Sequence, residues 1–285
     1  MITAEFLSQL KKLNLIIEKR ITSSFLGERK SYAIGSGNVF QEFRHYTPGE
    51  DYRLIDWKLF AKTEKLFVKK FEEDRAAVAH ILLDGSASMA FKTIDISKFE
   101  YGARIALALA YLAKKENEIF YFSTFSNKVE HFKSKHWPLL NLINYLNKIS
   151  PSGETRFENA LKDYKTLIKR KSIIFIISDF FYPIEEIDSI LFRLRKSEIN
   201  LIQIVDPFEL KLNVEGDYKL EDLETKEKLR TFFNPALKKK YFEKFFSHTK
   251  AIQNICDKVK AKFFSFETNL PIFDAIWRLI NSIRG

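Results

Sequence analysis

The 285 residues suffice for one α/β domain with an appended segment, and 46% hydrophobic with 29% charged residues exclude a disordered chain. An excess of 47 Lys and Arg over 37 Asp and Glu gives a formal charge of +10, which favours acidic partners, nucleic acid or an anionic membrane surface without choosing among them. The single cysteine, Cys256, excludes an intramolecular disulfide, and no apolar run could span a bilayer, so we expect a soluble cytoplasmic protein with an inert buried thiol.

The first 75 residues are predicted to contain a helix followed by a β-rich appendage. Apolar residues at three- and four-residue steps between positions 3 and 21 predict an amphipathic N-terminal helix. From Ser31 to Asp74, glycines and prolines interrupt short extended runs, which predicts two or three strands. We therefore expect residues 1–75 to form one unit and residues 76–285 to form the main domain.

From Ala76 onward, apolar strand-like runs alternate with helical patterns. The predicted strands are 78–83, 119–125, 173–177 and 201–205, and the predicted helices lie near 97–115, 136–149, 157–169 and 184–197. Runs that are apolar on both faces are typical of a parallel sheet covered by helices on both sides. The predicted fold class is therefore α/β, with a doubly wound, mostly parallel sheet.

The C-terminal part of the chain continues this pattern after a charged insertion. Alternation between residues 218 and 229 predicts a small surface hairpin. Residues 235–260 predict a long basic and aromatic helix, residues 262–266 a last strand, and residues 271–283 a closing helix. Pro271 suits the first turn of that closing helix, where its missing amide hydrogen is not needed.

Polar side chains follow the apolar runs where parallel strands end. In the stretch LLDGSASM, Asp84, Ser86 and Ser88 follow the first long strand, and Asp179 follows a later one. Thr155 lies on a loop just ahead of a helix. Because the carboxyl ends of parallel strands share one edge of a sheet, these five side chains are expected to converge. Hard oxygen donors of this kind suit Mg²⁺ or a similar divalent cation.

Each of these residues also has a purely structural alternative. Asp84 and the two serines could cap a helix, but the next helix is predicted to begin well downstream, near Ser97. Thr155 could open a capping box with Glu158, and Asp179 could be an ordinary turn residue. The combination of the five residues, rather than any one of them, favours metal binding.

The order Asp-x-Ser-x-Ser, a later Thr and a later Asp resembles the metal-ion-dependent adhesion site of von Willebrand factor A-like domains. The resemblance implies that Ser86, Ser88 and Thr155 coordinate the ion directly, while Asp84 and Asp179 act mainly through bound waters. It also implies an open coordination position that accepts a carboxylate from a partner protein.

The chain departs from that pattern at two places. Glu154 stands before Thr155 where a small residue is usual, and it could fill the open position or point to water; we favour water. Phe180 and Phe181 follow Asp179, where such sites often have glycine. Both departures bear on the loop conformation and on the metal affinity.

A second resemblance covers residues 35–75, which read GSGNVFQEFRHYTPGEDYRLIDWKLFAKTEKLFVKKFEEDR. This segment is similar to the signature of domain of unknown function 58, a family of bacterial and archaeal proteins commonly associated with MoxR-type AAA+ ATPases. Charged residues surround Trp57 here and could form a buried ion-pair network that docks the segment on the sheet, which we favour, or a surface that grips a partner. They are Arg44, Glu50, Asp51, Arg53 and Asp56.

Three classes of function follow from these observations. We favour a non-enzymatic, divalent-metal-dependent adaptor of a MoxR-type ATPase in protein assembly or maturation, with a client carboxylate completing the coordination of Mg²⁺. A metal-dependent hydrolase or phosphoryl-transfer enzyme could use the same site, but the sequence has no second Asp two residues after Asp84 and no Gly-rich phosphate loop with Lys. Nucleic-acid binding is not expected, because the basic residues are scattered and no recognised motif is present.

Overall fold

A computed structural model gives the structure of the chain. It describes residues 5–10, 31–34, 39–73, 78–116, 118–126, 129–134, 139–153, 157–162, 164, 168, 172–223 and 226–284. The chain divides into two compact units, Leu26–Ala77 and a larger one made of Met1–Phe25 with Val78–Gly285. Across the described ranges, no helix has both the length and the apolar character needed to cross a bilayer.

The smaller unit is a three-stranded antiparallel sheet with two short helices. Its strands are β1 (Ser31–Ile34), β2 (Val39–His45) and β3 (Phe67–Glu73), in the order β1-β3-β2. A 3₁₀ turn (Tyr52–Leu54) and helix α2 (Trp57–Thr63) connect β2 to β3. The predicted strand content of this segment is confirmed.

The charged residues around Trp57 do not form the buried network that the sequence analysis favoured. Arg44 makes a bidentate ion pair with Glu50, at 2.7 and 2.9 Å, but both side chains remain about a third exposed. Asp51 and Asp56 instead accept backbone N–H groups at the starts of the 3₁₀ turn and of α2, as helix caps do. Trp57 is 56% exposed. The interactions described for this group therefore include two helix caps and one partly exposed ion pair.

The larger unit contains a six-stranded sheet in the order β11-β8-β7-β4-β5-β6. Its strands are β4 (Val78–Asp84), β5 (Ile119–Phe125), β6 (Val129–Ser134), β7 (Ser172–Ser178), β8 (Glu198–Val205) and β11 (Lys262–Glu267). Every neighbouring pair is parallel except β5 with β6. The predicted α/β fold class, with a doubly wound and mostly parallel sheet, is confirmed.

Helices cover both faces of this sheet. They are α1 (residues 5–10), α3 (Lys98–Lys115), α4 (Leu139–Lys148), α5 (Phe157–Leu161), α6 (Ile184–Leu194), α7 (Pro207–Lys211), α8 (Pro235–Val259) and α9 (Ile272–Arg284). Leu82 belongs to the core formed with α5, α6 and α8, whereas its neighbour Leu83 faces α3. Successive side chains of a strand point to opposite faces, so a strand apolar at every position is buried on both sides.

Helix α3 lies unusually close to the sheet at Gly102. A Cβ atom there would stand 3.0 Å from Ile177 Cγ2 and 3.0 Å from Leu83 Cδ1, on the two central strands. Glycine destabilises a helix by about 1 kcal/mol relative to alanine, but here its missing side chain lets the helix approach the sheet closely. Helix α3 is therefore fixed tightly over β4 and β7.

The structure differs from the sequence expectations in the place of α1, in edge strand β6 and in the extent of α5. Helix α1 packs its Phe6 ring on Phe273 of α9, at 5.6 Å between centroids, so it belongs to the larger unit and not with the appendage. Edge strand β6 was not predicted. Of the helix expected over 157–169, α5 covers Phe157–Leu161, and residues 163, 165–167 and 169 lie outside the described residues. The predicted hairpin is confirmed as β9 (Gly216–Glu221) with β10 (Lys228–Phe233).

Cys256 lies on α8 and is fully buried, as the sequence predicted. Burial raises the pKa of its thiol to about 12, and the nearby charge of Asp257 adds to the shift. A thiol held in its neutral form is a poor nucleophile and a poor metal ligand. The prediction that this cysteine is buried is confirmed.

Candidate functional site

The candidate site lies where the winding of the sheet reverses. The chain runs from β4 to β5 and β6 on one side, and then returns to place β7 on the other side of β4. The connections after β4 and β7 therefore leave the sheet in opposite directions, which opens a crevice at their carboxyl ends. Asp84 is the last residue of β4, and Asp179 follows the last residue of β7.

Asp84 is fully buried and ties the two central strands together. Its Oδ1 accepts the backbone N–H of Ser86 at 2.8 Å, and its Oδ2 accepts the Ser178 hydroxyl at 2.6 Å and the Tyr182 hydroxyl. Burial, and after it the charge of Asp179, raise the pKa of Asp84 to about 6, although these hydrogen bonds oppose the rise. Asp84 is therefore a structural group as well as a candidate ligand.

Ser86 and Ser88 bring their hydroxyls together beside Asp84. Ser86 Oγ lies 2.9 Å from Ser88 Oγ, with Ser86 buried and Ser88 partly buried. Ser86 precedes a 3₁₀ turn (Ala87–Ala90), yet its side chain makes no capping hydrogen bond to that turn. The capping alternative therefore does not account for the Ser86 side chain.

Thr155 and Glu154 lie outside the described residues, so their predicted roles stay predictions. The loop just ahead of them is described and is bonded to the Asp84–Ser88 segment. The Ser152 N–H donates to the Gly85 carbonyl at 2.9 Å, and the Ala87 N–H donates to the Gly153 carbonyl at 3.0 Å. Gly153 has φ +82°, a left-handed conformation that favours glycine.

Asp179 is paired with a lysine that the sequence analysis missed. Lys98 Nζ lies 2.8 Å from Asp179 Oδ2 and 2.8 Å from Glu209 Oε1, and Lys98 is itself buried. Burial alone would lower the pKa of Lys98, but the two carboxylates raise it, so the ammonium is fixed as a charge. The available signal was its place directly after Ser97, the residue that caps α3.

Phe180, where such sites often have glycine, does adopt a glycine-like backbone. Its φ is +57°, in the left-handed region. The conformation is held by the Phe180 N–H, which donates to Ser178 Oγ at 2.9 Å, and by His248 Nε2, which lies 2.8 Å from the Phe180 carbonyl oxygen. The buried ring packs edge-on against Phe157. Packing therefore stabilises a turn that the residue type disfavours.

Four of the five predicted site residues occupy one corner of the molecule. The charges of Asp84 and Asp179 interact, the serine hydroxyls are in hydrogen-bond contact, and Ser88 lines the same cavity as Asp179. In the described part of the chain, no three His, Cys, Asp or Glu side chains group as metal ligands. Any ion here would depend on hydroxyl oxygens.

The described donors fit a small divalent cation in spacing and in charge. Two neighbouring ligands of octahedral Mg²⁺, each at about 2.1 Å, are about 3 Å apart, which is close to the 2.9 Å between the two serine hydroxyls. Asp179 and Glu209 pair with the ammonium of Lys98, and the charge of Asp84 interacts with that of Asp179. The buried cluster thus holds more negative than positive charge.

The fold and the site together define an α/β protein with an oxygen-rich cluster at the switch point of a doubly wound sheet. Residues 42–251 match the model of the family described as protein of unknown function DUF58. The match covers most of the chain, and the chain belongs to this family. The family membership predicted from residues 35–75 is confirmed.

Curated relatives include proteins described as uncharacterized from Mycobacterium bovis and Mycobacterium tuberculosis. They are 22% identical over 281 residues, which cover 96% of this chain and 89% of theirs. Among solved structures, BatB from Bacteroides thetaiotaomicron has a TM-score of 0.47 at 14% identity, covering 73% of this chain and 98% of that one. The SpRpn10 VWA domain has a TM-score of 0.45 at 11% identity, covering 72% and 95%.

Proposed function

We propose that this protein is a non-catalytic interaction module that binds its partner at the carboxyl edge of the sheet with the help of Mg²⁺. The observation that carries the proposal is the Ser86–Ser88 hydroxyl pair, spaced like two adjacent magnesium ligands beside buried carboxylates. When bound, the ion would supply an open coordination position for a carboxylate of the partner protein. Thr155 is proposed as a third direct ligand.

The residues of this chain would each have a distinct part in that site. Ser86 and Ser88 would hold the ion through their hydroxyls. Asp84 fixes the loop that carries them, since it accepts the Ser86 N–H and is anchored by Ser178. Asp179, held by Lys98, would act through water.

The partner proposed is a MoxR-type AAA+ ATPase, with a client protein that presents the carboxylate. Support for this pairing comes from the resemblance of residues 35–75 to a family commonly associated with such ATPases, and from the match of residues 42–251 to that family. The role would be that of an adaptor in protein assembly or maturation in the cytoplasm.

Affinity capture from the source cell, with Mg²⁺ or with EDTA, tests the proposal. Ser88→Ala is the sharpest variant, because Ser88 is partly exposed and contributes its hydroxyl to the pair. We expect the ATPase to be recovered by the wild type in Mg²⁺ and to be lost in EDTA and with Ser88→Ala. Asp84→Ala is a poorer choice, since Asp84 holds three hydrogen bonds of the folded core.

The matched control is Ser282→Ala, an exposed serine on α9 outside the site. This control should capture the ATPase as the wild type does. Recovery of the same ATPase by Ser88→Ala, or by the wild type in EDTA, would show that the ion is not required. Recovery of no AAA+ ATPase under any condition would exclude the proposed partner.

The enzymatic alternative has less support from the geometry. Asp84, the carboxylate placed to act as a nucleophile at the strand end, is fully buried and both its oxygens already accept hydrogen bonds. A nucleophile or general base must reach its substrate. Turnover of simple phosphate or ester substrates that disappears in Ser88→Ala would nevertheless support a hydrolase.

A further inference from the structure

A cavity of about 890 Å³ adjoins the candidate site. It is lined by Ser88 and the Lys98–Asp179 ion pair, and by aromatic side chains such as Phe91 and Phe181. Phe181 is substantially exposed, and its ring lies 5.2 Å from Lys98 Nζ. The cavity is therefore open to solvent and largely apolar at its sides.

The β9–β10 hairpin forms another wall and presents an apolar face to the cavity. Leu220 and Leu229 are direct cross-strand partners, and both line the cavity together with Phe233. Leu229 is nevertheless 64% exposed and Leu220 40% exposed. Two large apolar side chains that line a cavity and remain this exposed leave an apolar surface available to a ligand.

The opposite face of the same hairpin is charged. Its strands carry cross-strand ion pairs of Arg230 with Asp217 and of Lys228 with Glu221. Because side chains alternate along a strand, these residues point away from the leucine face. The hairpin thus separates an apolar inner face from a solvated outer face.

The titratable groups of the cavity are mostly acidic. Among the described residues of its lining, Lys98 supplies the one ammonium, which already pairs with Asp179 and Glu209. Glu158, Glu186 and Asp222 contribute further carboxyl groups to the lining, and Glu158 among them is paired with Arg193 at 3.3 Å. The cavity is therefore locally negative although the whole chain has a formal charge of +10.

We propose that this cavity binds a peptide segment of the partner in which apolar side chains alternate with lysine or arginine. The apolar side chains would pack on the leucine pair of the hairpin, and the basic groups would face the carboxylates of the lining. The proposal deepens the proposed function and rests on it only in placing the partner at this edge of the sheet. It requires no metal ion.

Binding of labelled synthetic peptides to the full chain, followed by fluorescence anisotropy, tests this inference. The probe is an octapeptide of alternating Leu and Lys, compared with versions that replace every Lys by Glu, every Lys by Gln, or every Leu by Ser. We expect only the Leu–Lys peptide to bind well, with an affinity that weakens as salt is added. Equal binding of the Glu or Gln peptide would overturn the charge selection proposed.

Matched variants on the two faces of the hairpin locate the binding surface. Leu229→Ser should weaken peptide binding about tenfold, since one large apolar contact is lost. Phe232→Ser removes a side chain that is 61% exposed on the adjacent position of the same strand, and it should have no effect. Equal losses in the two variants would contradict the proposed surface.

A second pair of variants tests the charge, and EDTA separates this inference from the metal proposal. Glu186→Gln should weaken binding, whereas Glu185→Gln, next to it on α6 and outside the cavity lining, should not. Peptide binding that persists in EDTA supports the cavity even if Mg²⁺ is not bound. Loss of peptide binding in EDTA, or no binding by any peptide, would overturn the inference.

Discussion

At the scale of single residues, Lys98 decides the electrostatics of the candidate site. Its ammonium is buried between Asp179 and Glu209, at 2.8 Å from each. Buried charges are costly to strip from water, and they are tolerated here because each has a partner of opposite sign. Loss of the lysine would leave two buried carboxylates that repel each other.

We therefore predict that Lys98→Met destabilises the fold by about 3–5 kcal/mol, the usual cost of breaking a buried ion pair. The measurement is urea unfolding in EDTA, followed by circular dichroism. Lys92→Met, at an exposed position on the loop before α3, is the control and should change stability little. Wild-type stability of Lys98→Met would show that the ion pairs are not needed.

His80 on β4 gives the fold a specific dependence on pH. It is buried, stacks on Tyr121, and its Nδ1 lies 2.9 Å from the Tyr164 hydroxyl. Burial lowers its pKa from 6.5 to about 4. Well above pH 6.5, the imidazole of His80 is neutral in both the folded and the unfolded chain. Between pH 6.5 and about 4 it gains a proton mainly in the unfolded chain, so the free energy of unfolding falls as the pH falls.

Lowering the pH from 7 to 5 should therefore cost the wild type about 2 kcal/mol through His80 alone. His80→Gln keeps a polar group near Tyr164 but cannot gain the proton, so its loss of stability should be smaller by that amount. Urea unfolding of both proteins at the two pH values measures the difference. An identical pH dependence would show that the fold does not lower the pKa of His80.

At the scale of elements, the start of α3 positions the lysine of the site. Ser97 and Glu100 form a capping box, with Ser97 Oγ accepting the Glu100 N–H at 3.1 Å and the Ser97 N–H donating to Glu100 Oε2 at 3.3 Å. Lys98 is the first residue of the helix, so the cap and the ion pairs stabilise the same turn.

Ser97→Ala should destabilise the protein by about 1 kcal/mol, and Ser97→Asp, which keeps an acceptor oxygen, should cost less. Thermal unfolding of the two variants beside the wild type provides the measurement. If alanine and aspartate have the same effect, the side-chain cap does not stabilise α3.

The sequence predicted those helices and strands whose burial produces a clear pattern of apolar residues. Strands β4 and β7 are buried at every position, so each contains a mostly apolar run that the sequence shows clearly. Edge strand β6, VEHFKS, mixes polar and apolar residues over only six positions and was missed. In the site, the Asp-x-Ser-x-Ser pattern is local, whereas the Lys98–Glu209 pair joins residues 111 apart and could not be read from spacing.

At the scale of the whole molecule, the net charge of the chain and the charge of the cavity have opposite signs. The chain has a formal charge of +10, yet most of the charged side chains described in the lining of the cavity beside the switch point are carboxylates. The amino-acid composition gives only the net charge, whereas binding of a partner depends on the charges that the fold places on one surface. The basic composition therefore gave no guide to the chemistry of the proposed partner segment.

Magnesium binding by the isolated protein, measured by isothermal titration calorimetry, tests the central claim most directly. We predict one saturable site in the wild type, unchanged in Ser282→Ala and weakened about 10–100-fold or more when Ser86→Ala and Ser88→Ala are combined. Circular dichroism should show that the double variant stays folded. No binding in the wild type, or equal binding in the double variant, would contradict the account.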